Sequence, residues 1–256
     1  MLRENRWSWG RELYSGIILF VLFVFLNMFF YDETPTFKAL ANLILGIISL
    51  IVTLFALNGN KIINNRITLT KKTQILLLLI IICFIIIVFV EQLPKLIITA
   101  FQSKYLYLSF IFALSSALLE ESICRGLFLS AFIGHGVIVN ATHKLVRAAI
   151  YSSLLFGLLH IINLLTSSPQ DTFLQIFYTF SMGIFLAAIR ITTNNLFSTI
   201  IIHFLLDFAP YELISSNTSS SNTLLTLLMF TPLLVLSLIY IVKLERDIFF
   251  PNKDNK

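Results

Sequence analysis

The chain has 256 residues, of which 57% are hydrophobic and only 12% charged, and its mean hydropathy is +0.90. Soluble domains run at about 45–50% apolar and about 25% charged, so the composition excludes a soluble globular protein and predicts an all-α polytopic membrane bundle. The apolar runs are continuous rather than alternating, which excludes a membrane β-barrel.

A spanning helix needs about 20 apolar residues, and about eight such segments can be laid along the chain. The first, expected at 13–30, follows Arg3, Arg6 and Arg11. No small-residue cleavage site precedes Asp32, so it is read as a retained span rather than a signal peptide. The second is expected at 37–57, followed by a basic loop with Lys61, Arg66, Lys71 and Lys72, and the third at 75–90. Residues 91–102 form a weaker apolar stretch broken by Pro94, either an interfacial helix or an extension of the third span. The fourth span is expected at 105–133, then a loop at 134–144 in which His135 and His143 are solvated. The fifth falls at 145–165 and the sixth at 173–191. The seventh, 196–209, is short and ends at Pro210, as a re-entrant or buried helix would. A Ser/Thr/Asn loop at 211–222 leads to a last span at 224–242 and a charged tail. The chain therefore divides into N-terminal helices at 1–104, a core at 105–210, and a last helix with its tail at 211–256.

The net charge of +5 fits basic loops on one side of a membrane and does not call for nucleic acid. Bases collect at the N-terminus, at 58–72, near Lys144 and Arg147, at Arg190 and after Lys243. The alternate loops carry Asp32, Glu33, Asp171 and Glu212. Eight spans in a cell membrane with both termini cytoplasmic satisfy every loop. Cys83 and Cys124 fall inside apolar segments and read as free thiols.

One apolar segment carries three charges in six residues, Glu120, Glu121 and Arg125. Each charge at the bilayer centre costs about 2.5–3.5 kcal/mol on insertion scales, so the group calls for a use. Glu121 and Arg125 are four apart and pair on one helix face, chiefly as a structural pair. Glu120 points about 100° away and is left for another helix or a water. Two later segments hold His160, and His203 with Asp207 one turn on. Counting along the helices places Glu120, His160 and His203 at similar depth, in a water-accessible cavity expected on the cytoplasmic side. A carboxylate beside an imidazole is a general-base pair, and a second imidazole can hold an oxyanion, which together suit hydrolysis of an amide by activated water. Ser122 and Cys124 read as packing residues rather than nucleophiles. No cofactor is expected. Zn²⁺ is the lesser alternative, since His, Glu and Asp are present but the helical His-Glu-x-x-His pattern is absent.

The three segments read Glu120-Glu121-x-x-x-Arg125, Phe156-x-x-x-His160 and His203-x-x-x-Asp207. In that order they resemble the CPBP group, the CAAX-prenyl-protease-like and bacteriocin-processing membrane proteins also called Abi. The resemblance covers about 105–210 and implies a glutamate-dependent intramembrane endopeptidase acting on a membrane-associated peptide or protein. It implies that Glu120 with His160 activates water and that His203 with Asp207 forms the oxyanion site. Glu121, Arg125 and Phe156 take supporting positions. Asp207 stands where the best-studied proteases of the group have Asn. An ionised Asp repels an oxyanion, so it must be protonated, pair with His203, or bind a metal. The group also contains non-catalytic adaptors and bacteriocin self-immunity proteins, the alternative reading. A transporter would show paired broken helices in two halves, and no such symmetry is present.

Overall fold

Apolar runs in lipid satisfy their backbone groups internally, and the computed structural model is a bundle of helices. It describes residues 2–64, 67–165, 167–214 and 223–249. Among these residues the helices are α1 Trp9–Phe29, α2 Pro35–Ala56, α3 Lys71–Val90, α4 Leu93–Gln102, α5 Leu106–Glu121, α6 Leu129–Ile138, α7 Lys144–Leu158, α8 Pro169–Thr193, α9 Leu196–Asp207, α10 Tyr211–Ile214 and α11 Thr223–Phe249. A π-helical turn, Ser122–Phe128, joins α5 to α6, and a 3-10 segment, Leu159–Leu165, continues α7.

The helix starts follow their caps. Ser8, Thr34, Thr70 and Ser168 accept hydrogen bonds from backbone N–H groups three residues on, the usual role of such residues at N-caps. The Thr70 cap starts α3 at Lys71, one turn before the apolar run. Residues 91–102 do not extend the third span, because Gln92 takes a left-handed φ of 53° and α4 starts afresh after it. The fourth span runs on to Ile138, so His135 is helical, not in a loop, and stacks edge-on with Trp9 at 4.7 Å. The charged stretch after Lys243 is also helical as far as Phe249. Residues 215–222 of the expected Ser/Thr/Asn loop, and the tail from 250, lie outside the described residues.

Seven helices are long and apolar enough to cross a membrane: α1, α2, α3, the continuous Leu106–Ile138, Lys144–Leu164, α8 and α11. The protein is thus a multi-pass membrane protein. The short α9 still carries the chain across the bundle. Before it, Asn194 accepts from the N–H groups of Ile62 and Ile63 at 2.9 and 3.1 Å. After it, the Tyr211 N–H donates to Ser109 at 2.9 Å, and Ser103 donates to Glu212 at the start of α5. The first group lies with both ends of the described chain. The Arg3 N–H donates to Ile62 O, the Thr70 N–H to Asp247 and the Lys144 N–H to Glu245. This is the terminal end of the bundle; Ser103 and Glu212 mark the distal end.

Charge follows the same division. The terminal end holds Arg3, Arg6, Arg11, Lys61, Lys71, Lys72, Lys144, Arg147, Lys243 and Arg246, whereas the described distal end holds Lys38, Lys95 and Lys104. Arg190 does not join the terminal loops, as the sequence suggested; it is fully buried. The most enclosed of the long helices is α8, whereas α1 and α3 are the least enclosed. It packs against α7 and α11, while α5 packs between α2 and α9. Gly46 lets α2 approach α5, since a Cβ there would lie 3.1 Å from Ser115 O, the small-residue contact typical of membrane helices. Phe25, Phe29, Phe55 and Phe89 face outward, as suits lipid rather than water.

Candidate functional site in the middle of the bundle

The site is built on the π turn. A π turn is wider than an α turn and recurs at functional sites. Two of its carbonyls accept from outside their own helix. Thr53 of α2 donates to Ser122 O at 3.0 Å, and Arg190 of α8 donates through Nε to Arg125 O at 3.3 Å. Arg190 also donates to Asn60 O at 2.9 Å. Gly126 faces Thr53 so closely that a Cβ would run into its methyl group. The turn is therefore clasped from two sides.

Directly before it, Glu121 is fully buried. Its Oε1 lies 3.0 Å from Arg125 Nη1 and 3.0 Å from His203 Nδ1. The Arg125 guanidinium lies 4.1 Å over the Phe156 ring, and that ring meets the His203 and His160 rings edge-on at 5.8 and 5.7 Å. Phe156 thus shields the ion pair while it packs both imidazoles. Because a carboxylate paired with Arg125 can only accept, His203 donates from Nδ1 and turns Nε2 the other way. Nε2 lies 3.3 Å from Asp207 Oδ2 and 3.9 Å from Glu120 Oε2. Of the three arrangements open to Asp207, the structure shows the pairing with His203. Glu120 is held through Oε1 by the Ser116 hydroxyl at 3.0 Å.

His160 sits in the 3-10 segment, with Nδ1 3.2 Å from Phe156 O. A carbonyl only accepts, so Nδ1 donates to it and Nε2 is the ring nitrogen left for other partners. No hydrogen bond joins His160 to Glu120 among the described residues. The two share a cavity of about 790 Å³, lined also by Ser116, Phe156, His203 and Asp207. Ser122 and Cys124 are fully buried and do not line it. Among the described residues no group of three or more His, Cys, Asp or Glu side chains is arranged to hold a metal ion.

The cavity runs from Glu120 and His203 to Glu91, Gln175 and Thr226, which lie where α3 ends and where α8 and α11 begin. That is the distal half, so the expected opening toward the terminal end is corrected. The terminal side is filled by Leu57, Ile62, Ile63 and Arg190, each at most 2% exposed. The depth count failed because Leu106–Ile138 has 33 residues, more than a bilayer needs, so counting back from its end misplaced Glu120. Sequence reasoning also missed Ser116, although its place one turn before Glu120 could have shown it. Thr53 and Arg190 carry no local signal.

A multi-pass helical protein with an acid–imidazole cluster in a mid-bundle cavity is the class the fold and site define. Residues 102–209 match the family model Rce1-like, described as type II CAAX prenyl endopeptidase Rce1-like. The match runs from the end of α4 past α9 and contains the whole cluster, so over these residues the chain is similar to that family. No curated protein and no solved structure matches the chain.

Removing Arg125 would strip the buried Glu121 of its guanidinium partner. Breaking one side of a buried pair costs about 3–5 kcal/mol. Arg125→Ala is expected to lower the folded yield in membranes and the melting temperature of the purified protein. An Arg125→Ala protein that accumulates and melts like the parent would contradict this.

Proposed function

We propose that the chain is an intramembrane endopeptidase that hydrolyses a peptide bond in a membrane-associated peptide or protein. The observation that carries the reading is the single cavity shared by Glu120, His160, His203 and Asp207. Glu120, held on one oxygen by Ser116, takes a proton from a water that also donates to His160 Nε2. The resulting hydroxide adds to the scissile carbonyl carbon. The oxyanion accepts a hydrogen bond from His203 Nε2, whose direction Glu121 fixes from the opposite ring nitrogen. Glu120 then hands its proton to the leaving amine, and the C–N bond breaks. Positioned general bases contribute typically 10²–10⁴-fold and oxyanion donors a comparable amount. The reading needs no metal. The basic terminal end fits the cytoplasmic side of a cell membrane, with both termini there.

Glu120→Gln keeps size and hydrogen bonding but removes the base. It is expected to accumulate normally and to lose peptidase activity by about 10²-fold or more, measured on purified protein with quenched peptides. Cleavage at the parental rate, or a cellular phenotype that survives Glu120→Ala at normal membrane levels, would favour the non-catalytic adaptor or immunity role instead.

Asp207 holds the His203 donor that the oxyanion needs, and its charge opposes the oxyanion. Asp207→Asn still accepts from Nε2 without that charge. It is therefore expected to raise kcat, by up to about tenfold, equivalent to about 1.4 kcal/mol. A large fall in kcat would show that Asp207 is needed as an acid or base.

A further inference from the structure

We infer that the cavity takes its substrate from the extracytoplasmic side, so that the peptide bond cut lies in a segment presented at the outer face. This rests on the endopeptidase reading for the chemistry but not for the geometry. Three observations combine.

The first is where the cavity leads. Its lining runs from Glu120 and His203 in the middle of the bundle to Glu91 at the end of α3 and Thr226 in the first turn of α11. Both belong to the distal end, which the bonds of Ser103 and Tyr211 define.

The second is what closes the other end. The strap of residues 57–63 after α2 folds inward there, and Leu57, Ile62 and Ile63 are buried in the core. Asn194 accepts from Ile62 and Ile63 and donates to Ile63 O at 2.6 Å. Arg190 donates to Asn60 O on the same strap. The chain before α1 is bound to it in turn, through Arg3 N–H to Ile62 O and Trp7 N–H to Ala56 O. A peptide entering from the terminal end would have to undo this packing and these bonds together.

The third is charge. Ten described lysines and arginines mark the terminal end and three the distal end. Basic loops stay in the cytoplasm, which puts the closed end inside and the cavity outside. The described lining carries Glu91, Glu120 and Asp207 and no lysine or arginine. A free C-terminal carboxylate therefore finds no lysine or arginine to pair with in this lining, whereas an internal segment of a peptide chain needs none.

The test uses the full chain with Cys83 and Cys124 replaced by Ala. Val88→Cys, and separately Leu225→Cys, place a thiol on the cavity wall, and Lys72→Cys places one at the terminal end as a control. Intact cells are treated with a membrane-impermeant maleimide. Labelling at 88 or 225 in intact cells, with Lys72→Cys labelled only after permeabilisation, is expected. Labelling at 88 and 225 only after permeabilisation would overturn the inference. In parallel, a quenched, charged peptide is supplied to intact cells and to detergent-solubilised protein, with Glu120→Gln as the blank. Cleavage outside intact cells supports access from the outer face, and at least tenfold latency relieved by permeabilisation opposes it. Solubilised protein that cleaves nothing overturns the endopeptidase reading alone, and the labelling result still decides the side of access.

Discussion

A carboxylate in the middle of a membrane helix has to be neutralised where it stands, and Glu121 is the group around which the bundle is arranged. Left alone, such a charge costs several kcal/mol. Arg125 answers it from one turn further along the same helix and His203 from α9. Phe156 covers the guanidinium. This cluster ties α5, α7 and α9 together at one level, and it decides the orientation of His203. With Nδ1 given to Glu121, only Nε2 remains to face Glu120, Asp207 and the cavity. The neighbouring carboxylate, Glu120, has no arginine partner among the described residues; it accepts from Ser116 and lines the cavity. Two adjacent glutamates thus have different fates, because one side chain points into packed protein and the other into space that water can fill.

The clasp on the π turn extends the dependence beyond the core of the chain. Thr53 belongs to α2 and Asn60 to the strap after it, both outside the matched residues 102–209. Through Arg190 the strap is connected to Arg125 O, and so to the turn that carries the Glu121 partner. The N-terminal helices therefore do more than anchor the chain. They close the terminal end of the bundle and hold the backbone on which the acidic pair sits.

Much of this was legible in the sequence, for a physical reason. Charges in lipid are expensive and so are rare, and Glu120, Glu121, Arg125, His160, His203 and Asp207 stand out against long apolar runs. The helices themselves were legible because an apolar run of spanning length has few other structures open to it. The failures are also physical. Arg190 read as a loop base because it lies near a helix end, yet it is buried where the strap folds inward. The π turn leaves no periodic mark in a helix that is apolar on most sides. The helical state of His135 was hidden because the run Gly134-His135-Gly136 looks like a turn, although Trp9 and the neighbouring helix support it. The side on which the cavity lies depends on where each helix starts in the membrane, and one-dimensional counting cannot fix that for a helix longer than the bilayer.

The orientation of the His203 ring can be read directly. The chain has only four histidines, so ¹⁵N spectra of histidine-labelled protein in nanodiscs can be assigned by single substitutions. The expected result is a His203 Nδ1 that carries a proton in a hydrogen bond, with Glu121→Gln changing that signal while those of His135 and His143 stay in place. A His203 ring with a bare Nδ1 and its only proton on Nε2 would contradict the bond to Glu121, and with it the placement of the donor that faces the cavity.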